Sequence, residues 1–235
     1  MGRGPRYRTT LDGLLVVDKP VGVSSMDVVR RVRRAAGHCK TGHAGTLDPL
    51  ASGVVICCLG RGTKLVERLM GQPKTYEATV DLSAFTATDD LEGEREAVDV
   101  PAPPTADAVR AACAAMVGTI EQTPPAYSAV HVDGQRAYKL ARRGEAVELP
   151  IKTVRVDGIE VVSYAWPTLG LRVRCGRGTY IRSIARDLGR ALGTGGHLTA
   201  LRRTAVGAYT LDRAVAWARL EEPITEADLL PLAGV

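Results

Sequence analysis

Hydrophobic and polar positions along the chain change period repeatedly between strand-like and helix-like spacing. Residues 14–17 form a short apolar run that predicts a strand, stopped at Asp18-Lys19-Pro20 because proline cannot donate to a central ladder. With Ser24 or Ser25 as cap, Val28, Val29 and Val32 form the buried stripe of a helix through about residue 36, which Gly37 ends. Residues 54–59 are continuously apolar and predict a buried strand, 63–70 a short helix and 75–82 another strand. The acidic stretch 83–100 has no clear period and reads as a long loop. A helix over 106–117, capped by Thr105, follows Pro101–Pro104.

Beyond Pro124-Pro125, residues 127–132 suggest a strand that turns at Asp133-Gly134, and 136–143 a short basic helix closed by Gly144. Strands are expected at 154–164 and 169–175. The strongest helical signal covers 179–192, where Ile181, Ile184, Ala185, Leu188 and Leu192 share one face. Arg182, Arg186 and Arg190 follow at i, i+4 and i+8 as a cationic stripe beside it. Residues 197–211 return as one or two strands, and a short helix is expected near 214–220. Strands and helices intermix without strict alternation, which favours an α+β or mixed α/β chain over a Rossmann fold.

Composition narrows the class. Among 235 residues, 45% are hydrophobic and 24% charged, as in an ordinary globular protein. No apolar run approaches the length of a membrane span, and the N-terminal MGRGPRYRTT lacks the apolar core of a signal peptide. A soluble, cytoplasmic protein is expected. Cys39, Cys57, Cys58, Cys113 and Cys175 include no C-x-x-C pair, and His38, His43, His131 and His197 lack ligand spacing; neither a disulfide framework nor a metal site follows.

The net charge of +5 averages over unlike regions. Of 31 cations 25 are arginine. Residues 30–43 hold Arg30, Arg31, Arg33, Arg34 and Lys40 with no acid, and residues 172–206 hold eight arginines against Asp187. Residues 77–99 carry eight acids against Arg95. Clustered guanidinium groups suit phosphate backbones through their forked donors, although an arginine-rich solvated face would have the same composition.

Gly42-His43-Ala44-Gly45-Thr46-Leu47-Asp48-Pro49-Leu50-Ala51-Ser52-Gly53 stands apart from the rest. Its glycines permit tight turns, and Pro49 pushes Asp48 out of the helical region, onto a loop or strand edge. A carboxylate so placed, between an arginine-rich helix and a buried strand, could act as nucleophile or general base. An Asp-Pro turn with glycines at its bends would read the same way.

This segment, preceded by Asp18-Lys19-Pro20, resembles the first motif of the bacterial TruB family of tRNA pseudouridine synthases. Further matches follow in order: Lys74-Thr75-Tyr76; Thr86-x-Thr88-x-Asp90-x-x-Gly93; Pro124-Pro125-x-Tyr127-Ser128-Ala129-Val130; Tyr138-x-x-Ala141-Arg142-x-Gly144; Gly178-Thr179-Tyr180-Ile181-Arg182; and Leu201-Arg202-Arg203-Thr204. They span residues 14–212.

The resemblance implies an α+β pseudouridine-synthase fold, a mixed and mainly antiparallel sheet flanked by helices around a central RNA-binding cleft. It implies guide-independent, cofactor-free isomerisation of uridine 55 in the T-loop of tRNA by a monomer. Asp48 takes the place of the catalytic aspartate, and Arg182 that of the arginine pairing with it. Tyr76 matches the tyrosine stacked on the target base, Tyr180 and Leu201 match residues packed around it, and His43 a histidine set against the T-loop. Residues 13–220 are expected to form the catalytic domain, with an inserted T-loop-binding part at about 60–140. A basic tail at 1–12 and an acidic one at 221–235 flank it.

Three departures accompany the match. Ser83 and Ala87 replace a glycine and an aspartate of the acidic loop, His131 stands where lysine is common, and the chain stops at Val235, where many relatives continue into a small RNA-binding domain. A tRNA-holding module without chemistry would share the basic surface and the tyrosines, but would not require Asp48. A guide-dependent relative acting on ribosomal RNA is less consistent with residues 124–144.

Overall fold

The computed structural model describes residues 10–128, 130–132, 135–137, 143 and 149–232. Its chain divides into two compact units, residues 1–75 with 202–235 and residues 76–201. The two connections run within strands Lys74–Asp81 and His197–Val206.

In the first unit, strand Gly13–Lys19 lies antiparallel to Ser52–Leu59 along its whole length, from Gly13 opposite Leu59 to Lys19 opposite Gly53. Val215–Ala216 joins its outer edge in parallel. The far edge of Ser52–Leu59 is shared. Thr41–His43 pairs antiparallel with its C-terminal end, while Arg202 and Arg203 pair in parallel with Ser52 and Gly53. The continuous apolar run read from sequence is buried on both faces. Leu14, Val16, Val54, Ile56 and Cys58 pack with Leu69 and Val206 on one face, and Leu15, Val17, Val55 and Cys57 are buried on the other.

Helix Ser25–Ala35 packs on these strands through Val28, Val29 and Val32. Ser24 caps it in a reciprocal box with Asp27, satisfying donors the helix cannot pair internally. The expected helix at 63–70 is a 3₁₀ turn, Gly60–Leu65, followed by one α-helical turn, Val66–Met70.

In the second unit the strand order is His197–Val206, Lys74–Asp81, Thr168–Cys175, Lys152–Ala165, Gly118–Gln122. The last three form antiparallel pairs, flanked by helices Ala106–Ala115 and Ile181–Leu192. Thr105 caps the first of these helices, as its spacing predicted. The architecture is α+β with a mainly antiparallel sheet, in agreement with the sequence.

Several local expectations need correction. The acidic stretch is not all loop: Ala84–Thr86 and Arg95–Ala97 pair as a hairpin. Gly118–Gln122 is a strand that sequence reading missed. Ile120 is its lone large apolar residue, so neither an alternating nor a continuous apolar pattern marks the strand. In the 127–132 segment only His131–Val132 is extended into a strand. Near 214–220 a short strand, Val215–Ala216, precedes a 3₁₀ turn, Trp217–Glu221. The basic helix at 136–143 and the basic tail lie mostly outside the described residues, as does the side chain of His131.

Candidate active site

The Asp48 loop in the first unit is tied down on both sides of the carboxylate. Strand Thr41–His43 delivers the chain to Ala44, whose N–H still donates to the Ile56 carbonyl at 2.9 Å. From there the chain leaves the sheet and is held by side chains. Arg203, 1% exposed, donates from Nη2 to the Gly45 carbonyl at 3.1 Å, from Nη1 to the Thr46 carbonyl at 3.2 Å and from Nε to the Val54 carbonyl at 2.7 Å. At the first residue of helix Ser25–Ala35, the buried Ser25 hydroxyl donates to the Leu47 carbonyl at 3.0 Å and accepts the Leu47 N–H at 2.8 Å. Past the carboxylate, the Pro49 carbonyl accepts from the Gly22 N–H at 2.8 Å, and the Ala51 N–H closes a turn onto the Asp48 carbonyl at 3.1 Å.

Lys19 completes the frame. Its side chain is fully buried, and Nζ donates to the carbonyls of Pro20 at 2.8 Å and Val23 at 2.7 Å, with the Pro49 carbonyl at 3.5 Å. Burial pushes its ammonium down to about 8; the Asp48 carboxylate acts in the opposite sense and the Arg203 charge in the same sense. Asp48, half-buried, thus lies within electrostatic reach of a lysine. Burial, followed by the Arg203 charge, lowers the His43 imidazole below its ordinary value, so His43 is neutral at pH 7. Arg202 points elsewhere, to Asp18 Oδ2 at 2.8 Å and Ser52 Oγ at 3.2 Å.

In the second unit, helix Ile181–Leu192 carries two of the remaining predicted residues, Tyr180 and Arg182. Tyr180 is its N-cap without a capping side chain of its own. Gln122 supplies the missing partner: its Oε1 accepts the Tyr180 N–H at 2.8 Å and its Nε2 donates to the Tyr180 carbonyl at 3.1 Å. Arg182 is 5% exposed, with Nη1 3.3 Å from Asp90 Oδ2 and 3.1 Å from the Thr88 carbonyl, and Nη2 3.1 Å from the Tyr127 carbonyl.

One turn on, Arg186 Nη1 meets Asp89 Oδ2 at 2.7 Å and Nη2 meets the Thr123 carbonyl at 2.8 Å. Asp89 adopts a left-handed φ of 59°, and burial raises its carboxyl despite Arg186. The expected cationic stripe is therefore largely internal. Arg182 and Arg186 clamp the Thr88-Asp89-Asp90 loop, and only Arg190 is exposed. Tyr76, on strand Lys74–Asp81, and Leu201, on strand His197–Val206, are 8% and 7% exposed.

The departures at 83 and 87 are accommodated locally. Ser83 turns its N–H onto Asp81 Oδ1 at 2.7 Å, without a positive φ, and Ala87 is exposed. The five cysteines are buried and form no disulfide, and burial raises the thiols of Cys57, Cys58 and Cys113, so none of these three supplies a thiolate at neutral pH. Among the described residues no group of histidine, cysteine and carboxylate side chains could hold a metal ion, and no helix is long and apolar enough to cross a membrane.

Sequence reasoning gave Ser25 a role only as an alternative helix cap, and gave none to Lys19, Arg203, Gln122 or Asp90. Lys19, Arg203 and Asp90 stood inside quoted motifs, whereas nothing local marks Ser25 or Gln122 as a brace.

Comparison with known proteins defines the class. The model of the TruB family pseudouridylate synthase N-terminal domain matches residues 33–181, and that of the tRNA pseudouridylate synthase B C-terminal domain matches residues 182–230. The fold is thus that of a pseudouridine synthase. The chain belongs to the TruB family. It is 49% identical over 220 residues to tRNA pseudouridine synthase B of Arthrobacter sp. (strain FB24), covering 91% of this chain and 72% of that one. The enzyme of the same name from Thermobifida fusca (strain YX) is 49% identical over 234 residues, covering 94% and 78%. A solved Cbf5-Nop10-Gar1 complex contains a chain 30% identical with a TM-score of 0.70; the match covers 90% of this chain but about half of that one, at 54%.

Proposed function

We propose that this pseudouridine synthase isomerises uridine 55 in the T-loop of tRNA, without a guide RNA or cofactor, with Asp48 as the catalytic residue. The observation that carries the reading is the bracing of the Asp48 loop. Gly45, Thr46, Leu47 and Pro49 are each hydrogen-bonded to residues distant in sequence, so the backbone that carries the Asp48 carboxylate is held in place. Near-half identity to relatives named for tRNA supports the substrate class.

The chemistry balances without an external reagent. The N1–C1′ bond of the uridine breaks, a C5–C1′ bond forms, C5 gives up one proton and N1 gains one. No electrons are exchanged. An ionised carboxylate can serve as nucleophile towards ribose or base, or as the base removing a ribose proton. The family resemblance gives Tyr76 as the tyrosine stacked on the uracil ring, Tyr180 and Leu201 as residues packed around the base, and Arg182 as the arginine matched to the catalytic carboxylate. A flipped base needs such a stacking surface. His43, neutral at pH 7, suits contact with unstacked T-loop bases better than a phosphate.

Chemical mapping of pseudouridine in tRNA from cells with and without this protein tests the reading. Loss of the T-loop pseudouridine is expected without it, and an unchanged T-loop site would overturn it.

A further inference from the structure

We infer that Arg203 is a positioning residue for the isomerisation: its buried guanidinium fixes the peptide planes that precede Asp48 and thereby sets the attitude of the catalytic carboxylate. This rests on the reading of Asp48 as catalytic.

Arg203 sits on strand His197–Val206, in parallel register with Gly53. It spans the motif from within. Its Nε holds the Val54 carbonyl on the far side of the loop, and its two terminal nitrogens hold the Gly45 and Thr46 carbonyls on the near side. The loop is therefore closed across one planar fork, which only a guanidinium can provide. Lysine keeps the charge but is a compact point donor and cannot span three carbonyls in this geometry.

The backbone leaves no room for a looser arrangement. Gly53 has φ of 107°, and a Cβ there would lie 2.2 Å from the Arg203 carbonyl oxygen. The same charge reaches Lys19 and His43, lowering both. Arg203 thus has two separable effects: the fork positions the loop, and the charge tunes its neighbours.

Two variants separate these effects from mere folding. Arg203→Lys keeps the charge and loses the fork; Arg203→Met loses both. Single-turnover pseudouridine formation on unmodified tRNA, tRNA affinity, circular dichroism and the His43 titration followed by NMR are measured for each, beside Asp48→Asn.

The expected result for Arg203→Lys is a rate loss of about a hundredfold, about 2.7 kcal/mol at 1.36 per decade, with affinity within threefold, an intact fold and unshifted His43. Arg203→Met should show a similar rate loss together with a raised His43 pKa. A near-wild-type rate for Arg203→Lys, or a loss explained by failed folding or tRNA binding, would overturn the proposal alone. Should Arg203→Met not fold, Arg203→Lys decides. Turnover by Asp48→Asn would instead overturn the assignment of Asp48 on which the proposal rests.

Discussion

Gly53 and Arg203 face each other across parallel strands so closely that one added carbon on Gly53 would meet the Arg203 carbonyl oxygen at 2.2 Å. That approach brings the arginine side chain under the Asp48 loop. Gly53→Ala combines a backbone clash with a left-handed φ, a strain of about 1–3 kcal/mol before the clash is counted. Urea unfolding should show a stability loss of about 3 kcal/mol or more. A loss under about 0.5 kcal/mol would mean that the strands separate freely at this point.

Lys19 gives a pH signature with a definite sign. Its folded value is about 8, against about 10.4 in an unfolded chain. Below pH 8 the ammonium is charged in both states and the cost of burying it is fully present. Between about 8 and 10.4 the folded protein sheds a proton that the unfolded chain keeps, so this contribution to stability rises with pH. The unfolding free energy of wild type relative to Lys19→Met should therefore increase from pH 7 to pH 10. A difference that is flat across that range would contradict the placement of the ammonium.

Salt dependence should separate exposed arginines from buried ones. Arg30 and Arg34 are exposed on helix Ser25–Ala35, whereas Arg186 is enclosed with Asp89 and Asp187. Neutralising Arg30 or Arg34 should reduce the slope of log affinity for tRNA against log salt by about 1 each. Arg186→Ala should leave that slope unchanged and cost about 3–5 kcal/mol of stability, because it strands Asp89 inside the protein. The reverse pattern would show that the helix Ile181–Leu192 face, not helix Ser25–Ala35, meets the phosphates.

These arginines also show where sequence reasoning stops. Spacing at i, i+4 and i+8 put Arg182, Arg186 and Arg190 on one helix face, which the structure bears out; it could not say that the face meets Asp89 and Asp90, because that depends on packing between segments 97 residues apart for Arg186 and Asp89. The helix at Ser25 was legible from its apolar stripe and cap residues. That Ser24 is the cap while Ser25 braces Leu47 was not, since the bond spans 22 residues. Asp48 was marked by Pro49 and the surrounding glycines. Its brace comes from Arg203, 157 residues from Thr46. Local period thus announces elements and suspects a carboxylate, while the bonds from Arg203 and Ser25 that brace its loop are long-range.

The central claim is that Asp48 performs the isomerisation. Because C5 of the target uridine must lose its hydrogen, tRNA carrying tritium at uridine C5 should release label into water as the reaction proceeds. Purified wild-type protein should release label stoichiometrically with T-loop uridine. Asp48→Asn should bind the same tRNA with similar affinity and release none, since an amide is neither nucleophile nor base. Release by Asp48→Asn at a rate near wild type would contradict the account.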